Sequence, residues 1–278
     1  MIDEELFYPD TPLTEFLDSN TKSYERVIGT DNIFFVYSST ERMYGLNSPI
    51  SHDLHQQLEI GIINLIGEDI WDSQTNPQIK ANKANFLSPV IDLFGIKYLV
   101  VPSSLDIESV VSEELDNSYD LVYEWNDVKV YQNLTYEGIA FVIGSIRHYH
   151  TDDELLELLS DPELDVYDIA FSNDTELSQK YDQVEPLSST EIVKYDFDEV
   201  VYKVTSSSPG VLVMSELYWP GWKAFINGEE GEIIKINGIF RAVEVPEGVS
   251  EVVLMYEGVG ILLGYQSLSS VLLLLGCF

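Results

Sequence analysis

Val259 to Phe278 is a run of 20 residues without a single charged side chain. As a helix it would extend about 30 Å, the thickness of a bilayer's hydrocarbon core. A buried core helix normally keeps a polar stripe, whereas here the polar atoms are confined to Tyr265, Gln266, Ser267, Ser269 and Ser270 near the middle. The run is therefore expected to begin a transmembrane helix, with a water-facing globule before it. Between Ala242 and the C-terminus there is no Lys or Arg, while Glu244, Glu247, Glu251 and Glu257 precede the run. Basic residues favour the cytoplasmic side, so the globule is expected on the extracytoplasmic face of the cell membrane. The lipid bilayer is its first expected partner.

The chain carries 48 acidic against 14 basic residues, a net charge of −34. Nucleic acid is excluded as a partner, because phosphate contacts need clustered Lys and Arg. Salt screens such a surface, so a saline environment would tolerate it. With 45% hydrophobic residues the chain has material for real cores and is no disordered acidic tail. Its one cysteine, Cys277, permits neither an internal disulfide nor a cysteine-based zinc site. The acidic start Met1-Ile2-Asp3-Glu4-Glu5 lacks the basic region and apolar core of a signal peptide, so export is expected to depend on an upstream segment of a longer product.

Residues 1–118 read as a mixed α/β region. Thr11-Pro12-Leu13 opens a capped helix, with Pro in the first turn. Strands are expected at Tyr24–Ile28 and Ile33–Tyr37, and helices at His52–Ile66, by its apolar spacing, and Ser88–Phe94. Gly95 stops the latter, and Ile96–Val101 makes a buried strand. Residues 119–257 read as an antiparallel, jelly-roll-like β-sandwich. A hairpin is expected about Asn126-Asp127, one strand over Ile139–Tyr149, a helix over Asp152–Leu159 capped by Thr151, and loop over 172–190. Single strands then follow at Ile192–Thr205, Gly210–Leu217, Trp222–Ile226, Gly231–Ile236, Phe240–Val245 and Val249–Tyr256. Asn227-Gly228 and Asn237-Gly238 supply the positive-φ residues of tight hairpins. The overall class is α+β, with residues 259–278 as a truncated transmembrane segment.

No nucleophile elbow, Walker loop or dinucleotide glycine pattern occurs, and no catalytic residue, metal site or cofactor is expected. His52 and His55, three apart, fit the polar face of an amphipathic helix better than a metal site. His148 and His150 share a strand face beside Asp152 and Asp153, an arrangement that an exposed strand end also explains. Asp196-Phe197-Asp198 has the form of a metal-binding Asp-x-Asp triplet, but strand alternation in an acidic chain produces the same pattern. Asn133-Leu134-Thr135 and Asn173-Asp174-Thr175 fit the N-glycosylation pattern. Tyr218-Trp219-Pro220-Gly221-Trp222 is the most unusual stretch. Its rings suit stacking on sugars or anchoring at a membrane interface, and equally a tight turn packed on the core.

The succession Leu217-Tyr218-Trp219-Pro220-Gly221-Trp222-Lys223-Ala224, Asn227-Gly228, Phe240-Arg241-Ala242-Val243, Val245-Pro246-Glu247-Gly248 and Tyr256, then an apolar segment, resembles the YfhO family of bacterial membrane proteins. Asp92–Val101 is similar to that family's "LLNVKYVV" segment, and Met43–Ser48 to one of its loops. The resemblance implies a polytopic protein like the GT-C glycosyltransferases, taking sugar from a polyprenyl-phosphate carrier on the outer face to build cell-envelope glycopolymers. The acidic catalytic residues of such proteins belong to an early loop that this chain lacks. An accessory, non-catalytic domain is thus implied, with a glycan or polyprenyl-phosphate-linked sugar as partner. From their own chemistry, Trp219 and Trp222, which offer stacking faces, and Arg241, whose guanidinium suits a hydroxyl or phosphate, are the expected glycan contacts. The competing expectation is a non-enzymatic carbohydrate-binding or scaffold module anchored in the membrane.

Overall fold

The computed structural model describes residues 11–31, 56–67, 79–107, 118–182 and 186–257. The expected strand Ile33–Tyr37, His52, His55, the Met43–Ser48 loop and the uncharged run 259–278 lie outside them. Among the described residues the protein is mostly β, with several antiparallel sheets, a few short helices and no closed barrel. No helix among them is long and apolar enough to cross a membrane.

Local signals set the first elements. Helix α1, Pro12–Asn20, starts on a reciprocal cap in which Thr11 Oγ1 accepts the Thr14 amide and Thr14 Oγ1 accepts the Thr11 amide. Its buried Leu13 and Leu17 lie against Val27, Tyr98, Val100 and Val130. These residues belong to a four-stranded sheet ordered β1 (Arg26–Gly29), β2 (Ile96–Pro102), β4 (Val128–Asn133), β3 (Tyr119–Trp125). The β1–β2 pair is parallel and the rest antiparallel. Phe16 stacks on Tyr123 at 4.3 Å between centroids, which fixes α1 on this face. The hairpin turns at Asn126, φ +49°, as its sequence foretells. Because Tyr119–Asn133 is bonded to β2, sheet pairing runs across position 118.

A second sheet lies at the centre of the molecule, in the order β13 (Ile234–Ile236), β14 (Phe240–Val245), β10 (Gly210–Leu217), β5 (Ala140–Ile143). Both of its faces are covered. Val211, Val213, Phe141, Ile143, Phe240 and Ala242 join the largest core with Ile28, Leu99 and Tyr131 of the first sheet. That core also takes in Leu58 and Ile62 of α2 (Gln56–Asn64), Leu93 of α3 (Val90–Leu93) and Leu155 and Leu159 of α4 (Asp152–Leu159). Leu212, Met214, Val243, Val245, Ala140 and Val142 face the other way. There they meet Val200, Tyr202, Val204, Ala224, Val252 and Leu254. Those six come from a five-stranded sheet ordered β12 (Glu229–Gly231), β11 (Trp222–Ile226), β15 (Gly248–Tyr256), β9 (Glu199–Ser206), β8 (Ser188–Tyr195). Double coverage explains why β10 reads Val-Leu-Val-Met without alternation, whereas β9, covered on one face, alternates.

Several expectations are corrected. Ile139–Tyr149 is two strands, β5 and β6 (Ser145–His148), which enter different sheets: β5 pairs with β10 and β6 runs parallel to β7 (Ile169–Ser172). The stretch 172–190 holds a helix, α5 (Thr175–Lys180), because the Asp174 carboxylate caps the amides of Glu176 and Leu177. Ile192–Thr205 is a hairpin, β8 and β9, turning at Asp196-Phe197-Asp198. Gly231–Ile236 is likewise divided between β12 and β13.

Gly95 joins α3 to β2 with φ +66°, and a Cβ there would lie 2.6 Å from Ile139 Cγ2. Gly95→Ala should therefore cost about 2 kcal/mol, strain and overlap combined, read as a lowered urea midpoint with unchanged slope.

Candidate functional site

The aromatic motif stands at the mouth of the space between the central and five-stranded sheets. The β10–β14 register shifts between Met214 and Leu217, so Ser215 and Glu216 form a bulge opposite Arg241 and Phe240. Such a bulge re-aims a side chain, here the Glu216 carboxylate, which ion-pairs with the Arg241 guanidinium. Arg241 is 3% exposed. The Trp222 ring lies across its other side, 4.1 Å from the guanidinium carbon to the ring centroid. Tyr256 packs on Trp222 at 5.4 Å. Gly221 permits this approach: its φ is +100°, and a Cβ would come within 2.9 Å of the Tyr256 ring.

The pair belongs to a larger polar joint. Arg26, on β1 of the first sheet and also buried, donates from Nη1 to the carbonyls of Phe94 and Ser215, so it reaches into the same bulge. Burial alone would raise the Glu216 pKa. The Arg241 charge, the Tyr195 hydroxyl and the Arg26 charge together outweigh it and hold the carboxyl below its usual range. Tyr202, fully buried beside this cluster, has its phenol pushed far above the ordinary value by burial, with the Glu216 charge adding to the shift. Among the described residues, the Tyr202 hydroxyl and Arg241 Nε have no hydrogen-bond partner.

Of the three residues expected from sequence, the structure brings Trp222 and Arg241 into contact inside this joint. Trp219 is left on the surface, 45% exposed. Glu216, Arg26, Tyr195 and Tyr202 were not singled out by sequence. The one available signal was Glu216 itself, an acidic residue two positions before the aromatic motif.

Residues 156–266 match the family model described as bacterial membrane protein YfhO. The YfhO match contains Glu216, Trp219, Trp222, Arg241 and Tyr256, so the resemblance seen from Tyr218 to Tyr256 is borne out; the Asp92–Val101 echo falls outside it. No curated protein and no solved structure matches the chain.

A cleft of about 270 Å³ is lined by Asp92, Tyr119, Thr135 and Glu137 from before the YfhO stretch and by Asp165 and Tyr167 from within it, among others. Asp92 Oδ1 accepts from Asn133 Nδ2 at 2.6 Å and from Thr135 Oγ1 at 3.0 Å. Burial nonetheless raises its pKa against the lowering effect of those two donors. Asn133 also donates to the Ile96 carbonyl and is 2% exposed, so this glycosylation-pattern residue is spent inside the fold, whereas Asn173 is exposed. The His148 and His150 rings lie 4.6 Å apart, tilted at 60°, with His148 Nε2 3.0 Å from Thr175 Oγ1. Among the described residues no group of His, Cys, Asp or Glu could hold a metal ion. Asp196-Phe197-Asp198 lies in a turn rather than the expected strand, and Lys194 pairs with Asp196 and Glu199.

Glu216→Gln leaves the Arg241 charge buried without its partner, and should cost about 3 kcal/mol at neutral pH. Adding Arg241→Met should recover most of that. Since the Glu216 pKa is lowered on folding, its contribution is present above the unfolded carboxyl range and lost as pH falls through the folded value. The native–Gln difference in unfolding free energy should therefore shrink on acidification.

Proposed function

We propose that this chain is an extracytoplasmic accessory domain of a polytopic, glycosyltransferase-like membrane protein. In this role it holds a cell-envelope glycopolymer beside a catalytic membrane domain that draws sugar from a polyprenyl-phosphate donor. The YfhO match supports a membrane setting, as does the uncharged run that begins at Val259. The two facing antiparallel sheets support a sandwich, jelly-roll-like, within residues 119–257.

The observation that carries the reading is the mounting of Trp219. Its ring is exposed on a turn whose next aromatic residue, Trp222, is clamped between Arg241 and Tyr256. A rigidly mounted indole offers a sugar a flat apolar face at little cost in side-chain entropy. Trp222 and Arg241, proposed from sequence as direct contacts, serve this role by holding the turn. The guanidinium, committed to Glu216 and nearly closed to solvent, has little left to offer a ligand.

That commitment favours a second reading, a non-enzymatic membrane-anchored binding or scaffold module. It uses the same Trp219 face without an associated transfer reaction. Both readings predict that Trp219→Ala, in the full chain in detergent micelles, weakens binding of teichoic-acid-type glycopolymer fragments by calorimetry. The loss should be about fivefold, or ~1 kcal/mol, with unfolding midpoints unchanged. Unaltered affinity would remove the glycan role of Trp219. Transfer of labelled sugar from a polyprenyl-phosphate donor by native membranes, lost when the gene is deleted, separates the first reading from the second.

A further inference from the structure

The five-stranded sheet has two dissimilar ends. At one end β11 begins at Trp222, β15 ends at Tyr256, β8 ends at Tyr195 and β9 begins at Glu199. The β8–β9 turn projects there and carries Phe197, which is 86% exposed. Its neighbour β15 is tied to it, since the Tyr256 amide donates to the Asp198 carbonyl at 2.8 Å. Exposed Met255, Tyr256 and Trp219 stand at the same end. The opposite end, with the Asn227-Gly228 turn and the start of β15, exposes the aliphatic Leu187 and Val249 and, among the described residues, no large aromatic one.

Charge is also arranged unevenly. On a chain of net charge −34, three carboxylates at the aromatic end, Asp196, Glu199 and Glu257, are ion-paired, while Asp198 keeps its charge. Lys194 pairs with Asp196 and Glu199, and Lys223 with Glu257 at 3.0 Å. Both lysines have raised pKa values, Lys194 chiefly through its hydrogen bond to Glu199 and Lys223 through that to Glu257, so both stay charged. Paired carboxylates lower the cost of bringing this acidic globule against a lipid surface, and long lysine stems can keep their charges in the headgroup layer. From this end the chain passes, just beyond Glu257, into the uncharged run starting at Val259.

We propose that the protein seats on the bilayer by this end, with the Phe197 turn inserted at the lipid interface. Met255 and Tyr256 flank it, and Trp219 stands at headgroup height. Aromatic side chains are enriched at that depth because their rings are apolar while Tyr and Trp keep a polar tip. The occupant is a lipid surface, and a neutral one suits the net charge better than an anionic one. The inference rests on the membrane reading above and adds which part of the globule faces the lipid. It also confines any saccharide stacked on Trp219 to the membrane surface.

Spin labels on the full chain test it. In a Cys277→Ser background, labels are placed by Phe197→Cys and, at the opposite end of β15, by Val249→Cys. The protein is reconstituted into phosphatidylcholine vesicles, and collisions of each label with oxygen and with a water-soluble nickel chelate are compared. The ratio of oxygen to nickel accessibility should be several-fold higher at 197 than at 249. The difference should narrow when phosphatidylglycerol replaces part of the phosphatidylcholine. Protein that floats with the vesicles but shows equal ratios overturns the end-on seating and leaves membrane anchoring intact. Protein that fails to float overturns both.

Discussion

Arg26 is the residue on which the arrangement of sheets depends. It projects from the first strand of the N-terminal sheet into the bulge of β10, where its guanidinium caps carbonyls of Phe94 and Ser215. The next residue of that bulge, Glu216, meets Arg241, and Arg241 lies under Trp222 from the five-stranded sheet. Three sheets are thus linked through one polar joint. Buried charges are costly unless each finds a partner, and removing one partner leaves the full desolvation penalty on the other. The joint therefore favours one relative placement of the sheets, which apolar contact alone, being non-directional, would specify less sharply.

The same joint connects packing to the proposed function. An exposed indole is a useful ligand face only if its backbone is held, and Trp219 is held because Gly221 lets Tyr256 close on Trp222. The end of the molecule that carries this turn also carries Phe197 and the paired lysines, and it precedes the uncharged run. One end of one sheet thereby gathers the features that suit a lipid surface and a saccharide near it.

Where the chemistry is local, the sequence was legible. Thr11 and Thr151 cap helices as their positions foretell, and Asn126, Asn227 and Asn237 adopt the positive φ expected of hairpin turns. Gly210–Leu217 was legible as a strand, whereas the cover on both its faces, which its unbroken apolar run reflects, emerged only from the structure. The turn at Asp196-Phe197-Asp198 was not legible, because it contains no glycine, proline or asparagine and alternates like a strand. The division of Ile139–Tyr149 was hidden for a similar reason: both halves are good strand sequence, and only pairing with β10 and β7 separates them. At the candidate site, the aromatic motif was visible as a composition anomaly, but its partners come from β1, β8, β9 and β10. Burial of Arg241 follows from the bulge at Ser215-Glu216, which no pattern in Met214–Leu217 signals. The pairing of the Tyr119–Asn133 hairpin with β2 likewise depends on contacts that periodicity does not record.

Native-state hydrogen exchange on the full chain, comparing native protein with Arg26→Met, tests the role of the joint most directly. If Arg26 ties the N-terminal sheet to the central one, the amides of β1 and β2 should lose protection while those of β9, β14 and β15 keep it. Protection that falls equally in all of these strands, or in none, would contradict it.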